Sequence, residues 1–467
     1  MAPCIDSLAD ELATARFDDP RLARRLGSVV RRLAANPELS FPKALSSAEL
    51  EGAYRFFGNP RVTPDRILSG HFEATRQRCL EESVVLVIHD STTLHFREDG
   101  QRTGLGRLIK SGQTFFAHVA LAVADDAARR PLGVAGLEPW IRSDDEAGGR
   151  ERARWSRMVD RASTQLKDAS LIHVMDREAD DYALFSHLIA GNHRFVIRSM
   201  HNRLLLDEAP GGAKKLDDAV ATIERIVERE APLSKRVDAK RSPQQKKIHP
   251  SRVSRTATLA VGAMSVTFRR PRPHPRDSEE RRSLQLPSSL ELNVVRVWEP
   301  NPPEGQPPVE WVLLTTESIA SIEDILRVVD RYRARWVIEE YFKALKTGCN
   351  YEARQLEDYD SLVNALAVFA PIACHLLALR STARLSPDEP AQSVLTDDQL
   401  DVLRAMGRRP LPPSPSARDA FLAVAALGGH IKYSGDPGWL TLARGYSELL
   451  TLTRAWTCAK LQLSRDQ

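Results

Sequence analysis

Two apolar runs of this 467-residue chain end in an aspartate: SVVLVIHD at Asp90 and LIHVMD at Asp176. An acid at the end of a buried strand projects from one edge of a sheet, where α/β folds commonly bind ligands; alone, it can equally cap a turn. A third acid, Glu339, lies in a polar row of another period. Tyr332, Arg335, Glu339, Lys343 and Lys346 follow at steps of three, four, four and three residues, which on one helix places them along one face. Such a row can be a solvated face laced by pairs such as Glu339–Lys343. Because Val328, Trp336, Val337, Phe342 and Leu345 flank it, we expect it to look into a working edge of the protein. Three carboxylates from distant parts of the chain offer oxygen-only ligation, which suits Mg²⁺ or Mn²⁺. Two such ions can stabilise the attacking and leaving oxygens of an in-line phosphoryl displacement.

The elements that must position these groups are legible in outline. Residues 1–80 read as a small helical domain. Asp18-Asp19-Pro20 predicts an N-cap with proline in the first turn of an Arg-rich helix that stops near Asn36-Pro37. Ser46 with Glu49 predicts a capping box, and Thr63-Pro64 opens a third helix carrying Arg66, Arg76 and Arg78. Short Arg-bearing helices of this kind fit a DNA-binding module. From residue 83, SVVLVIHD, QTFFAHVALAVAD and RPLGVAGLEPW predict a three-stranded meander. A helix, the strand LIHVMD, a helix (DYALFSHLIA) and the strand RFVIRS follow, giving a mixed α+β (α/β) core with a largely buried sheet. Residues 201–310 interrupt this rhythm with Pro-rich basic loops around RTATLAVGAMSVTFRR and LELNVVRVW, an inserted β subdomain. WVLLTT then resumes the core, and SIEDILRVVDRYRARWVIEEYFKALKTG predicts one long helix from a Ser321 cap. The expected domains are 1–80, helical and DNA-binding; 81–355, catalytic with its β insertion; and 356–467, helical and dimerising. Because the sheet begins only near residue 83, removal of residues 1–70 is expected to leave a folded core.

Composition narrows the classes. Hydrophobic residues make up 42% of the chain, enough for a substantial core, and no apolar run of about 18 residues is apparent, so no membrane span is expected. The acidic start MAPCIDSLADELA argues against an export signal. Five scattered cysteines without a CxxC pair argue against disulfides and structural zinc, and for a reducing cytoplasm. A net charge of +4 decides little, but the clustering of Arg and Lys favours an anionic polymer as partner. No P-loop, G-x-S-x-G or zinc motif is present, and no nucleotide cofactor is expected.

At these residues the chain resembles the bacterial insertion-sequence DDE transposases of the cut-and-paste kind, the Tn-five-like group among them. The likeness is carried by HDSTTL around Asp90, DREAD from Asp176, RFVIRS ending near Arg198, WVLLT from Trp311, and Y-x2-R-x3-E-x6-K from Tyr332 to Lys346. It extends to GAYRF-x-x-NP from Gly52 and to LGG…SGDPGW ending at Trp439. The resemblance implies a ribonuclease-H-like core in which Asp90, Asp176 and Glu339 bind Mg²⁺, with Mn²⁺ able to substitute. It implies that Tyr332, Arg335 and Lys346 contact DNA phosphates, with Arg198 beside the transferred strand and Lys343 on the same DNA-binding face. It further implies that Trp311 stacks on a base flipped out as a DNA hairpin forms. Double-stranded DNA, both transposon ends and target, is the implied partner of a homodimer. Two rival readings are a nuclease that does not join strands and a DNA-binding regulator derived from a transposase.

Overall fold

The apolar runs of the middle of the chain become strands, and helices lie on either side of them in sequence. The structure, a computed structural model, describes all residues except 1–4, 97–101, 108–111, 143–148, 207–214, 234–250, 273–281, 432–434 and 464–467. The basic loops expected within the insertion fall mostly on 234–250 and 273–281, outside the described residues. In chain order the N-terminal helices are α1 (Ile5–Ala13), α2 (Pro20–Ala35), α3 (Phe41–Ala44), α4 (Ser47–Phe57) and α5 (Pro64–Leu80). Then come β1 (Val85–Phe96), β2 (Gly106–Arg107), β3 (Gln113–Ala124), β4 (Pro131–Trp140), α6 (Gly149–Gln165), β5 (Leu171–Met175), α7 (Tyr182–Ala190) and β6 (Arg194–Arg198). The insertion holds α8 (Leu216–Ala221), β7 (Val227–Leu233), β8 (Arg255–Arg269) and β9 (Ser289–Trp298). Finally come β10 (Glu310–Thr315), α9 (Ile322–Ala334), α10 (Trp336–Lys343), α11 (Tyr359–Leu385), α12 (Asp397–Met406), α13 (Ala417–Leu427) and α14 (Trp439–Leu463).

The chain forms two units: Met1–Glu146 with Met158–Leu171 and Trp336–Gln467, and Ala147–Arg157 with Ile172–Arg335. In the first unit β1 and β3 pair antiparallel over all twelve residues, from Val85 opposite Ala124 to Phe96 opposite Gln113, and β4 adds antiparallel to β3. This is the expected meander. Asp90, however, does not end its strand. The pairing runs on to Phe96 because Leu94 and Phe96, two and three pleats beyond Asp90 on its own face, are buried. Cys79, Val85, Val87, Ala120, Leu132, Met158 and Leu166 close the core on one side of the sheet.

The helix caps read from sequence are present: Asp19 accepts from Arg21 N–H with Pro20 following, Ser46 and Glu49 form a capping box, and Thr63 accepts from Arg66 N–H. The helices they start pack on one another and also on α11. Phe41 of α3 lies between Phe57 of α4 and Phe369 of α11, at centroid separations of 5.6 and 6.3 Å. Asn364 of α11 donates to the carbonyls of Phe57 and Val62 at 2.8 and 3.1 Å. Helix α11 corrects a further expectation, since over 27 residues it is long and apolar enough to cross a membrane. Its most apolar stretch is buried entirely within the unit, as the central helix of a core is.

In the second unit β5 and β6 pair in parallel, and β10, β9, β8 and β7 follow β6 in antiparallel order. The insertion therefore extends this sheet: β9 pairs with β10 from Trp298 opposite Glu310 to Asn293 opposite Thr315. Parts of β7 and β9 alternate, with Glu228, Glu230 and Glu291 exposed and Leu290, Leu292 and Val294 buried, the pattern of a sheet with one covered face.

Candidate active site and nucleic-acid interface

The row from Tyr332 to Lys346 is not one unbroken α-helix. Helical bonding lapses at Arg335, whose φ of −51° and ψ of −32° stay helical, and α10 begins at Trp336. After Lys343 the chain widens into a π turn, Ala344–Gly348, in which Cys349 N–H bonds to the Ala344 carbonyl at 2.8 Å. A π turn takes up one more residue per turn than an α-helix and commonly marks a functional site. Here it buries Ala344, Leu345, Gly348 and Cys349 while Lys346 stays partly open. The step from Lys343 to Lys346 therefore runs into a π turn rather than along an α-helix.

In the first unit, α10 packs on β1, the strand that carries Asp90. Asp90 and Glu339 are both half-buried, and Asp90 Oδ1 accepts the Ser91 N–H at 2.8 Å. Lys346 Nζ donates to the carbonyl of Thr93 on β1 at 2.6 Å and lies 3.7 Å from Glu352 Oε1. Burial holds this ammonium below the ordinary lysine range, and Glu352 pulls the other way. Lys343, in contrast, is exposed and pairs with Glu340 at 2.6 Å, one position from the Glu339 that the spacing offered. Trp336, at 52% exposure, opens α10 three residues before Glu339.

The second unit holds the remaining candidates. Asp176 follows β5 and caps the 3-10 turn Arg177–Ala179, accepting Glu178 N–H at 2.8 Å. The other aspartate of the DREAD motif, Asp180, is wholly buried. It accepts the N–H groups of Met200 and His201 at 2.6 and 2.7 Å and the guanidinium of Arg203 at 2.6 and 3.0 Å. It thereby shapes the loop that follows Arg198, a role sequence could not reveal because its partners lie some twenty residues downstream. Arg198, at the end of β6, sits opposite Leu313 of β10 and donates to the Glu310 carbonyl at 3.3 Å. The half-buried Trp311 ring lies 5.9 Å from the buried Tyr332 ring, tilted by 59°. The structure thus brings Arg198, Trp311 and Tyr332 together around the start of β10. Arg335 is buried at the C-terminal end of α9.

The family described as "Transposase DDE domain" matches residues 85–372, more than half of the chain. The chain belongs to the DDE transposases. A second family, described as "Transposase DNA-binding", matches residues 6–62. Among solved structures, a piggyBac transposase synaptic complex with hairpin DNA shares 10% identity at a TM-score of 0.32, over 81% of this chain and 72% of that one. The protein is therefore a DNA transposase with a ribonuclease-H-like core and a DNA-binding segment of α1 to α4. DDE domains depend on a divalent metal. The donor chemistry fits one: Asp90, Asp176 and Glu339 offer carboxylate oxygens alone, on half-buried side chains. Among the described residues no three His, Cys, Asp or Glu side chains cluster closely enough to hold an ion; Asp90 and Glu339 belong to one unit and Asp176 to the other.

Proposed function

We propose that this DDE transposase works by cut-and-paste: it binds the repeats at the two ends of its element, frees them through a hairpin intermediate, and joins the freed 3′ ends to target DNA. The observation that carries the reading is that all nine candidate site residues, the Y-R-E-K signature among them, fall inside the matched span 85–372. In this reading Asp90, Asp176 and Glu339 hold two divalent cations, Mg²⁺ or Mn²⁺, which when bound supply Lewis acidity at the attacking and leaving oxygens. Tyr332, Arg335, Lys343 and Lys346 hold phosphates near the cleavage point, and Arg198 holds the transferred strand.

The chemistry is a series of in-line displacements at phosphorus. Water attacks one strand at the element end, its oxygen bonding to phosphorus as the 3′-oxygen departs and takes up a proton. The 3′-hydroxyl then attacks the opposite strand, releasing flanking DNA and closing a hairpin, which a second water reopens. The regenerated 3′-hydroxyl attacks target DNA. Closing the hairpin bends the strand sharply, and Trp311 stacks on the base that is flipped out. The functional parts are residues 1–80 for end recognition, 81–355 for chemistry and 356–467 for pairing two subunits, each end being held partly by one subunit and cut by the other.

The test is a supercoiled plasmid carrying the element with its flanking DNA, incubated with the full chain and Mg²⁺. Nicked, hairpin and strand-transfer products, all lost with chelator, are expected. Cleavage without hairpin or joining would make the protein a hydrolytic nuclease, and binding without cleavage would make it a regulator.

A further inference from the structure

Six residues beyond the signature lysine, Glu352 lies on a 3-10 turn, Tyr351–Ala353, that packs on β1. Its Oε1 accepts the N–H of His95 on β1 at 3.0 Å and lies 3.7 Å from Lys346 Nζ. That ammonium also donates to the Thr93 carbonyl, two residues earlier on the same strand. A lysine has three N–H donors on a flexible four-carbon stem. One is engaged by Thr93, and the Glu352 carboxylate attracts the ammonium from 3.7 Å, so the ammonium is drawn by two groups against the strand that carries Asp90. Both side chains remain partly open, Lys346 at 27% and Glu352 at 29%, so one N–H can still meet a ligand.

We propose that Glu352 is a positioning residue of the cleavage reaction: it holds the Lys346 ammonium against β1 so that its remaining N–H meets the phosphate being cut. The proposal rests on the reading of Lys346 as a phosphate contact. By charge alone a carboxylate here repels DNA, so its contribution is orientation, at some cost in affinity. A mispositioned contact weakens the chemical step more than the binding step.

The experiment uses the full chain and the element-bearing plasmid, with Glu352→Gln, Glu352→Asp, Lys346→Met and the double variant Lys346→Met with Glu352→Gln. First-strand cleavage is measured under single turnover, with DNA binding and a thermal melt alongside. Glu352→Gln keeps an acceptor for His95 but loses the charge that attracts the ammonium, and is expected to cut about tenfold more slowly, as a misplaced contact at the reacting phosphate does. Its binding should be unchanged or tighter, and its melting point unchanged. Glu352→Asp should fall between it and the parent, and the double variant should match Lys346→Met alone. Undiminished cleavage in Glu352→Gln would overturn the proposal. So would a loss of the same factor in the Lys346→Met background, or a loss matched by a lower melting point that Glu352→Asp does not restore. Full cleavage by Lys346→Met would instead refute the phosphate-contact reading itself, and the proposal with it.

Discussion

Asp176 gives one carboxylate oxygen to the Glu178 N–H at 2.8 Å, a cap worth about 1 kcal/mol. One carboxylate can thus cap the turn and hold a cation, and amide substitution separates the two roles. Asparagine caps as well as aspartate but brings no charge to a cation. Asp176→Asn should keep the melting temperature within about 2 °C and reduce cleavage to background, as should Asp90→Asn and Glu339→Gln. DNA binding should persist, because affinity comes mainly from Lys and Arg on phosphates. Cleavage by Asp176→Asn at even a tenth of the parent rate would leave the residue a cap. Trp311 poses a similar choice, since its ring is half-buried against Tyr332. If it stacks on a flipped base, Trp311→Ala should spare first-strand nicking. Hairpin formation should fall by a factor of about ten to a hundred, the worth of a ~1–3 kcal/mol stack. Equal loss of both products with a lowered melting point would make it a packing residue only.

At the scale of elements, what the sequence showed and what it hid have different physical origins. Caps are local: Asp19, Ser46 with Glu49, Thr63 and Ser321 each bond within three residues of themselves, so spacing alone reveals them. The buried halves of β1 and β3 are legible as apolar runs. The extension of β1 past Asp90 is not, because Ser91, Thr92 and Thr93 read as a polar stop while their backbone groups continue the pairing with β3. The π turn is hidden too: it packs on α11, where a Cβ on Gly348 would meet Leu376 Cδ1 at 3.3 Å, a neighbour far along the chain. DREAD is legible as a motif, but the sequence points only to its first aspartate, because the partners of Asp180 lie twenty or more residues away. Asp180→Ala would leave Arg203 and the Met200 and His201 N–H groups without their carboxylate. Removing one partner of a buried pair costs about 3–5 kcal/mol, so a clearly lowered melting point is expected. Amides 199–203 should also lose protection in hydrogen exchange. Full protection there in a folded Asp180→Ala variant would show that the loop holds itself.

For the molecule as a whole, the question is whether the DNA-binding helices can be removed. The sequence placed them ahead of the sheet and implied that they can; the packing implies the reverse. Glu11 of α1 binds Arg78 of α5 at 2.6 Å and accepts from His71 Nδ1 at 2.9 Å. His71 Nε2 takes the Val134 N–H of β4 at 3.0 Å, and Arg78 donates to the Leu132 carbonyl at 2.6 Å. His71 is thus satisfied as a neutral ring, and burial keeps its pKa below the usual value. Burial alone would raise the Glu11 pKa, but His71 and Arg78 together lower it to about 2. Because the folded value lies below the ordinary 4.5, this carboxylate contributes stability at pH above about 4.5, which is lost as pH falls through about 2. Glu11→Gln should therefore lower the melting point at pH 7 and flatten its fall between pH 5 and 2. A parallel acid profile in parent and variant would mean the clamp adds nothing. Deleting residues 1–70 removes Glu11 and also uncovers Phe369 and Asn364 on α11, a long apolar helix of the unit. An exposed apolar face of that size drives association. The truncated chain should therefore aggregate or melt well below the full chain, measured by gel filtration and circular dichroism. A monomeric truncated protein with an unshifted melt would show that the sheet and α11 fold without the DNA-binding helices.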